Sequence, residues 1–267
     1  MQATETRRIL RLQSLGSQPE VVDDTVATES AVHLFINGVH WETIMCTPQR
    51  LEDLVTGHLL SDGIIDQLYQ LTAIRFVDQY KCEVTLVAEL NLEERLATSF
   101  FRAVPSGFQR RTQLPTENPT NRLMPLRVIA PTVIDASAVQ RAANALNNEA
   151  SIYRKTGGVH AASVCRKDGI LEHLAEDVGR HNAVDKAVGS CARSSHSFED
   201  RFLISTGRLT GDIILKAARV NIPVVASISA VVTSGIDVAE KTGVTAIGFV
   251  RGERMNIYSH HQRISYA

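Results

Sequence analysis

From Ala31 to Met45 the chain alternates apolar and polar residues on either side of Asn37-Gly38. A period of two predicts strands, and Asn-Gly supplies the positive φ that a two-residue hairpin turn needs. Thr47-Pro48 then reads as a helix cap followed by a first-turn proline. Leu51, Leu54, Val55, His58 and Leu59 recur at helical spacing, and Asp62-Gly63 stops the helix. TAIRFV and CEVTLVAEL predict two further strands, and NLEERLATSFF a short helix.

The second half is more regular. IDASAVQRAANALNNEA has helical spacing, and GVHAASVC and GILEHLAE flank Lys167-Asp168-Gly169 as a hairpin. Val184, Ala187, Val188 and Cys191 lie one helical turn apart. Strand RFLIST, helix GDIILKAARV, strand IPVVASIS, helix SGIDVAEKTG and strand VTAIGFV follow. Strands apolar on both faces, alternating with helices, predict an α/β fold with a parallel sheet covered on both sides.

Composition adds boundaries. With 267 residues, 44% of them hydrophobic, the chain is long enough for two domains with real cores. Five of its eight prolines, Pro105, Pro115, Pro119, Pro125 and Pro131, fall in one stretch that cannot be regular helix or central strand. The expected division is a small α+β unit over 1–104, a linker or active-site loop over 105–131 and an α/β unit over 132–267. A formal net charge of −1 argues against a general binder of nucleic acid or of a membrane surface. No apolar run is long enough to span a bilayer, and MQATETRRILRLQSLG lacks the apolar core of a secretory signal. Cys46, Cys82, Cys165 and Cys191 form no CxxC, so no zinc-ribbon, iron–sulfur or thioredoxin-type site is expected, and no metal ligand set is predicted. Their spacing fits a reducing cytosol rather than a disulfide scaffold.

In open α/β sheets ligands bind beyond the carboxyl ends of the strands. Here those ends carry Gly207-Arg208, Thr233-Ser234-Gly235 and Arg251-Gly252-Glu253-Arg254. Glycines, hydroxyls, arginines and two helix N-termini suit phosphate, although each segment alone also reads as an ordinary turn. A second polar string, Glu176-Asp177-Val178-Gly179-Arg180-His181-Asn182-Ala183-Val184-Asp185-Lys186, ends a strand and opens a helix. It reads either as a site, with Arg180 and His181 as ligands and Glu176 or Asp177 fixing the histidine tautomer, or as a helix capped by Asp177 with Asp185-Lys186 in solvent. His160 reads as a hydrogen-bonded core histidine. His160-Ala161-Ala162 has alanine where a zinc deaminase needs glutamate, no PCxxC follows, and deamination is rejected. There is no GxSxG, P-loop or GxGxxG, and no catalytic residue is assigned.

The segments NGVHWETIMCTP, LEDLVTGHLLSDGII, TGGVHAA, EDVGRHNAVDKAVG, STGR, GFVRGER and NIYSHHQRI occur in this order. Together they resemble the FdhD/NarQ family, the accessory proteins of formate dehydrogenase, from about Val26 to His260. The resemblance implies a cytidine-deaminase-like α/β C-terminal domain with a smaller α+β N-terminal domain, in a cytoplasmic homodimer. It implies a sulfur carrier that takes sulfur from a cysteine desulfurase as a persulfide. The acceptor would be the molybdenum (or tungsten) bis-pterin guanine dinucleotide cofactor destined for formate dehydrogenase. The family's cofactor-binding stretch maps onto Phe249, Val250, Arg251, Gly252, Glu253 and Arg254. The family's carrier motif, CGxC, maps onto Ser106-Gly107-Phe108-Gln109, and a serine hydroxyl cannot form a persulfide. Of the remaining cysteines, Cys82, Cys165 and Cys191 read as core residues. Cys46 precedes the expected helix start at Thr47-Pro48, whose dipole would lower its pKa. The alternative to a sulfur carrier is therefore a module that binds and delivers the cofactor without transferring sulfur.

Overall fold

The computed structural model describes residues 2–88, 90 and 126–266. The helix expected over 91–101, the Ser106–Gln109 stretch and four of the five clustered prolines lie outside the described residues. The chain opens with a two-stranded antiparallel hairpin that no sequence pattern had marked, β1 (Thr4–Arg11) and β2 (Glu20–Ala27). Strands β3 (Ser30–Ile36) and β4 (Val39–Cys46) then form the expected hairpin. Ile36 pairs with Val39, and Asn37 and Gly38 take φ of 47° and 82°, the positive values for which the pair was read. With β5 (Leu71–Phe76) and β6 (Lys81–Leu86) they make a sheet of order β4-β3-β6-β5.

Helix α1 (Leu51–Ser61) buries Leu54, Val55, His58 and Leu59 and stops at Asp62-Gly63, with Gly63 at φ 71°. Its start differs from the expectation. Arg50, in the left-handed region at φ 52°, is the cap residue, and Thr47 is not. The Thr47 hydroxyl instead accepts from the Val178 N–H (3.1 Å), and the Thr47 N–H donates to Asp177 Oδ2 (3.0 Å). Partners from a distant part of the chain displace the local cap.

The second half starts with β7 (Ile134–Asp135), α2 (Ala136–Glu149) and α3 (Ser151–Thr156). The Asp135 carboxylate caps α2 by accepting from the Ser137 N–H at 2.8 Å. Strands β8 (His160–Arg166) and β9 (Leu171–Asp177) form the predicted hairpin, followed by α4 (Arg180–Arg193). Then come β10 (Arg201–Ser205), α5 (Gly211–Arg219), β11 (Val224–Ser227), α6 (Thr233–Thr242), β12 (Thr245–Arg251) and β13 (Arg254–Ile257). A short β14 (Ile264–Ser265) pairs with β7. The main sheet has the order β13-β12-β11-β10-β8-β9. Only β10, β11 and β12 run parallel; β8, β9 and β13 make it mixed rather than all-parallel.

Two apolar layers sandwich this sheet. On one face Ala138, Val139 and Leu146 of α2 meet Phe202, Ile204, Val224 and Ile247. On the other, α4, α5 and α6 share one continuous core with α1 and the β3–β6 sheet. Helices α1 and α4 touch backbone to backbone. A Cβ on Gly57 would lie 1.7 Å from the Asp185 carbonyl oxygen, and one on Gly189 would lie 1.9 Å from that of Asp53. No helix among the described residues is long and apolar enough to cross a membrane.

Candidate anion-binding edge of the central sheet

The parallel register sets the geometry. Ser205 lies beside Ser227, and Ala226 beside Ile247, so β10, β11 and β12 end on one rim. Strand β8 runs the other way and brings its first residue, His160, to the same rim, paired with Asp177 at the end of β9. The N-termini of α4, α5 and α6 follow these strand ends. The positive ends of their helix dipoles point to this rim.

Three basic side chains gather here. Arg180 packs on Gly207, where a Cβ would meet the Arg180 Cβ at 2.9 Å and its Cδ at 3.3 Å. Burial, and then the charges of Arg180, His181 and Arg208, push the His160 imidazole below its ordinary pKa. His160 Nδ1 lies 3.3 Å from Thr206 Oγ1, which also accepts from the Ala161 N–H at 3.0 Å. Arg208 is exposed. Arg180 Nε is buried and has no hydrogen-bond partner among the described residues.

The histidine-orienting carboxylate is not the expected one. His181 Nε2 pairs with Asp212, in the first turn of α5. Burial works against the Asp212 carboxylate, yet the His181 hydrogen bond and charge hold its pKa well below the usual range. Glu176 instead accepts from the N–H groups of Ile152 (3.2 Å) and Tyr153 (2.6 Å), at the start of α3.

Two strands along the sheet from β10 lies the β12–β13 turn. Here the register shifts between Gly248 and Arg251, and Phe249 takes φ 53° while its N–H bonds the Ser229 carbonyl at 2.8 Å. The Arg251 and Arg254 guanidinium carbons stand 5.7 and 5.9 Å from the Phe249 ring centre, within cation–π range. Arg251 Nε also donates to the Ile228 carbonyl (2.9 Å). Gly252 turns the chain at φ 57°. Val250 points into the core on the α2 side, and the Glu253 carbonyl is taken by Gln140 (2.9 Å). From the six-residue stretch, Phe249, Arg251 and Arg254 present groups suited to an anionic, aromatic ligand; buried Val250 does not. Ser234 and Gly235 are structural: Ser234 Oγ accepts from the Gly211 N–H (3.2 Å), and a Cβ on Gly235 would lie 2.4 Å from the Leu209 carbonyl oxygen.

The 176–186 string divides between two tasks. Arg180 and His181 face the rim. Asp177, Asn182, Asp185 and Lys186 bind the first half of the chain, and Asp185 and Lys186 are buried, not solvated. Asp177 pairs with Lys186 at 2.6 Å; Lys186 donates to the Thr47 carbonyl (2.8 Å), and Asn182 Nδ2 to that of Met45 (2.7 Å). Asp185 accepts from Ser61 Oγ (2.6 Å) and Lys216 Nζ (2.9 Å), and lies 3.4 Å from His58 Nδ1. Lys216 also reaches Asp62 (2.6 Å), and His58 Nε2 pairs with Glu42. Sequence reasoning missed Asp212 and Thr206 at the rim. Their one local signal was polar character at a strand end or helix start.

All four cysteines are free and buried. The expectation for Cys46 is overturned: α1 starts too far along the chain to lower its pKa. Burial, with Asp177 nearby, pushes the thiol up to about 12. Burial also pushes Cys82 and Cys191 up to about 12, and Cys165 upward.

A family model described as the FdhD/NarQ family matches residues 27–265. A protein of Shouchella clausii named sulfur carrier protein FdhD is 33% identical over 263 residues, covering 97% of this chain and 96% of the relative. A protein of the same name from Methanothermobacter thermautotrophicus is 32% identical, covering 91% of this chain and 92% of its own. The crystal structure of a chain assigned as a formate dehydrogenase accessory protein, from Desulfotalea psychrophila, superposes with a TM-score of 0.77. It is 23% identical and covers 99% of this chain and 100% of its own, a likeness that speaks for the fold. With nearly the whole length matched by the family model and by relatives a third identical, this chain belongs to the FdhD/NarQ family.

Proposed function

We propose that this chain binds the molybdenum (or tungsten) bis-pterin guanine dinucleotide as cargo on the strand-end rim, in support of formate dehydrogenase, without itself carrying sulfur. The observation that supports the reading is the convergence of Arg180, His181 and Arg208 around His160 on that rim. A pyrophosphate needs such donors, and Arg180 Nε is buried with its hydrogen-bonding capacity unused. Phe249, with the Arg251 and Arg254 guanidinium carbons 5.7 and 5.9 Å from its ring centre, gathers an aromatic ring and two cations for the heterocyclic end of the ligand. The absence of sulfur carriage rests on the thiols. Each of the four is buried and shifted away from the thiolate that attacks and releases sulfane sulfur. The same reading has the protein work in the cytoplasm as a homodimer, with no call on a cysteine desulfurase.

The relatives' name, sulfur carrier protein, supports the second reading, in which sulfur passes through this chain. Ser106 and Gln109, where the family motif has cysteine, lie outside the described residues. Incubation with a cysteine desulfurase and labelled cysteine separates the two. Under conditions that load a CGxC-containing relative, this chain stays unlabelled. A label lost in Cys46→Ala restores the carrier reading. Binding of GDP, the cofactor's nucleotide end, tests the rim: Arg180→Ala and the Arg251→Ala/Arg254→Ala pair each weaken it about tenfold or more, as expected for charge-assisted contacts of 1.5–3 kcal/mol. Unchanged affinity in both variants removes the rim from the proposal.

A further inference from the structure

At the opposite end of β9, about 17 Å along the strand from Asp177, Glu172, His173 and His196 bring one ligand atom each to within 4.8 Å of one another. Consecutive strand residues normally point to opposite faces. Here β9 carries an extra residue: Val164 pairs with His173 and Cys165 with Leu171, which leaves Glu172 unpaired in a bulge. Bulges re-aim side chains, and this one turns Glu172 toward its neighbour. His196 is set by a second irregularity. Ser195 takes φ 56° after α4, and the His196 N–H bonds back to the Cys191 carbonyl at 3.2 Å. Together these place His196 Nδ1 3.0 Å from His173 Nε2.

The surrounding contacts prepare the three as ligands. His173 Nδ1 lies 3.0 Å from Ser190 Oγ, an outer hydrogen bond of the kind that fixes a metal-binding tautomer. Arg201 Nε holds Glu172 Oε2 at 2.7 Å and leaves the other carboxylate oxygen available. His173 is buried and His196 exposed, so the group opens to solvent on one side. It borders a hollow of about 400 Å³ lined by Glu172, Asp200 and Arg201. In a tetrahedral zinc site, ligand bonds of about 2.0–2.2 Å put ligand atoms about 3.3 Å apart. The two imidazoles need to part by only a few tenths of an ångström.

We propose that Glu172, His173 and His196 form a binding site for one divalent transition-metal ion of the zinc class, with a fourth position open to water. The two imidazole ligands favour Zn²⁺, Ni²⁺ or Cu²⁺ over Mg²⁺ or Ca²⁺. The ion ties the connection after α4 to the edge strand of the main sheet. The site is separate from the strand-end rim, and its test does not depend on the rim's ligand.

The experiment is a titration of the chelator-treated full chain with Co²⁺, read by visible d–d absorption, followed by displacement with Zn²⁺. The wild type takes up one equivalent, loses the band to Zn²⁺ and melts at a higher temperature with Zn²⁺ than without. His196→Gln, at an exposed position, loses the band while keeping the metal-free melting temperature, and Glu172→Gln, at a half-buried position paired with Arg201, also loses the band. Ser190→Ala weakens binding about tenfold. His33→Gln, in the first sheet where the His33 and His40 ring centres lie 6.2 Å apart, changes nothing. Absence of a saturable band overturns the proposal, as does a band that survives in His196→Gln or disappears in His33→Gln.

Discussion

The Lys186 ammonium lies 2.6 Å from the Asp177 carboxylate, and both side chains are sealed from solvent. Between them they hold both backbone groups of Thr47: Asp177 accepts its N–H at 3.0 Å, and Lys186 donates to its carbonyl at 2.8 Å. Removing one partner strands the other charge in the interior. Lys186→Met is expected to lower the unfolding free energy by about 3–5 kcal/mol, measured by urea denaturation at neutral pH. A loss below about 1 kcal/mol would show that the pair is not sealed.

His58 gives the protein an alkaline weakness. Burial opposes its charge, but Glu42, Asp62 and Asp185 outweigh burial and raise its pKa from 6.5 to about 10. The folded state therefore holds a proton that the unfolded chain releases. Its contribution is complete below about pH 6.5 and is lost as the pH rises through about 10. Unfolding free energy should fall by about 1.4 kcal/mol per pH unit within that window. His58→Gln should flatten this slope, as followed by denaturant midpoints from pH 6 to pH 10.

The contact at Gly57 leaves no room for a methyl group. With a Cβ 1.7 Å from the Asp185 carbonyl oxygen, Gly57→Ala must push α1 away from α4. The expected cost is about 3 kcal/mol, seen as a lower melting temperature. By contrast Gly252→Ala, on the exposed β12–β13 turn where nothing lies within 4 Å, pays only for its positive φ.

The thiols should be silent in the native state. A chromogenic disulfide reagent at pH 8 is expected to react rapidly with none of the four cysteines, and with all four once the protein is denatured. One fast-reacting thiol in the folded protein would reopen the carrier reading and, identified by mass spectrometry, would name the carrier.

Several local signals were read correctly, although the local β1–β2 hairpin was not foreseen. Asn37-Gly38 set its own turn, Asp62-Gly63 ended α1, and the alternating strands and helices after Arg201 predicted three parallel strands with a shared polar edge. The failures around the site have distant partners. Thr47 resembled a cap because its true partners, Asp177 and Val178, are 130 and 131 positions away. Asp185 and Lys186 resembled surface charge because nothing nearby in sequence shows that α1 lies against them. His181 was matched to adjacent acids, whereas Asp212 reaches it from 31 positions on. Glu172 and His173 attracted no notice because strand alternation sets neighbours apart, and only a bulge in the fold reunites them.

A single helix, α4, presents Arg180 and His181 from its first turn and anchors the amino-terminal sheet from the next two. Aim and attachment are thus properties of one rigid rod. A change that loosens the anchorage is therefore expected to displace the basic pair as well. If the rim holds the proposed cargo, substitutions at Asp185 and Lys186 should weaken its retention, although both side chains are buried away from the rim.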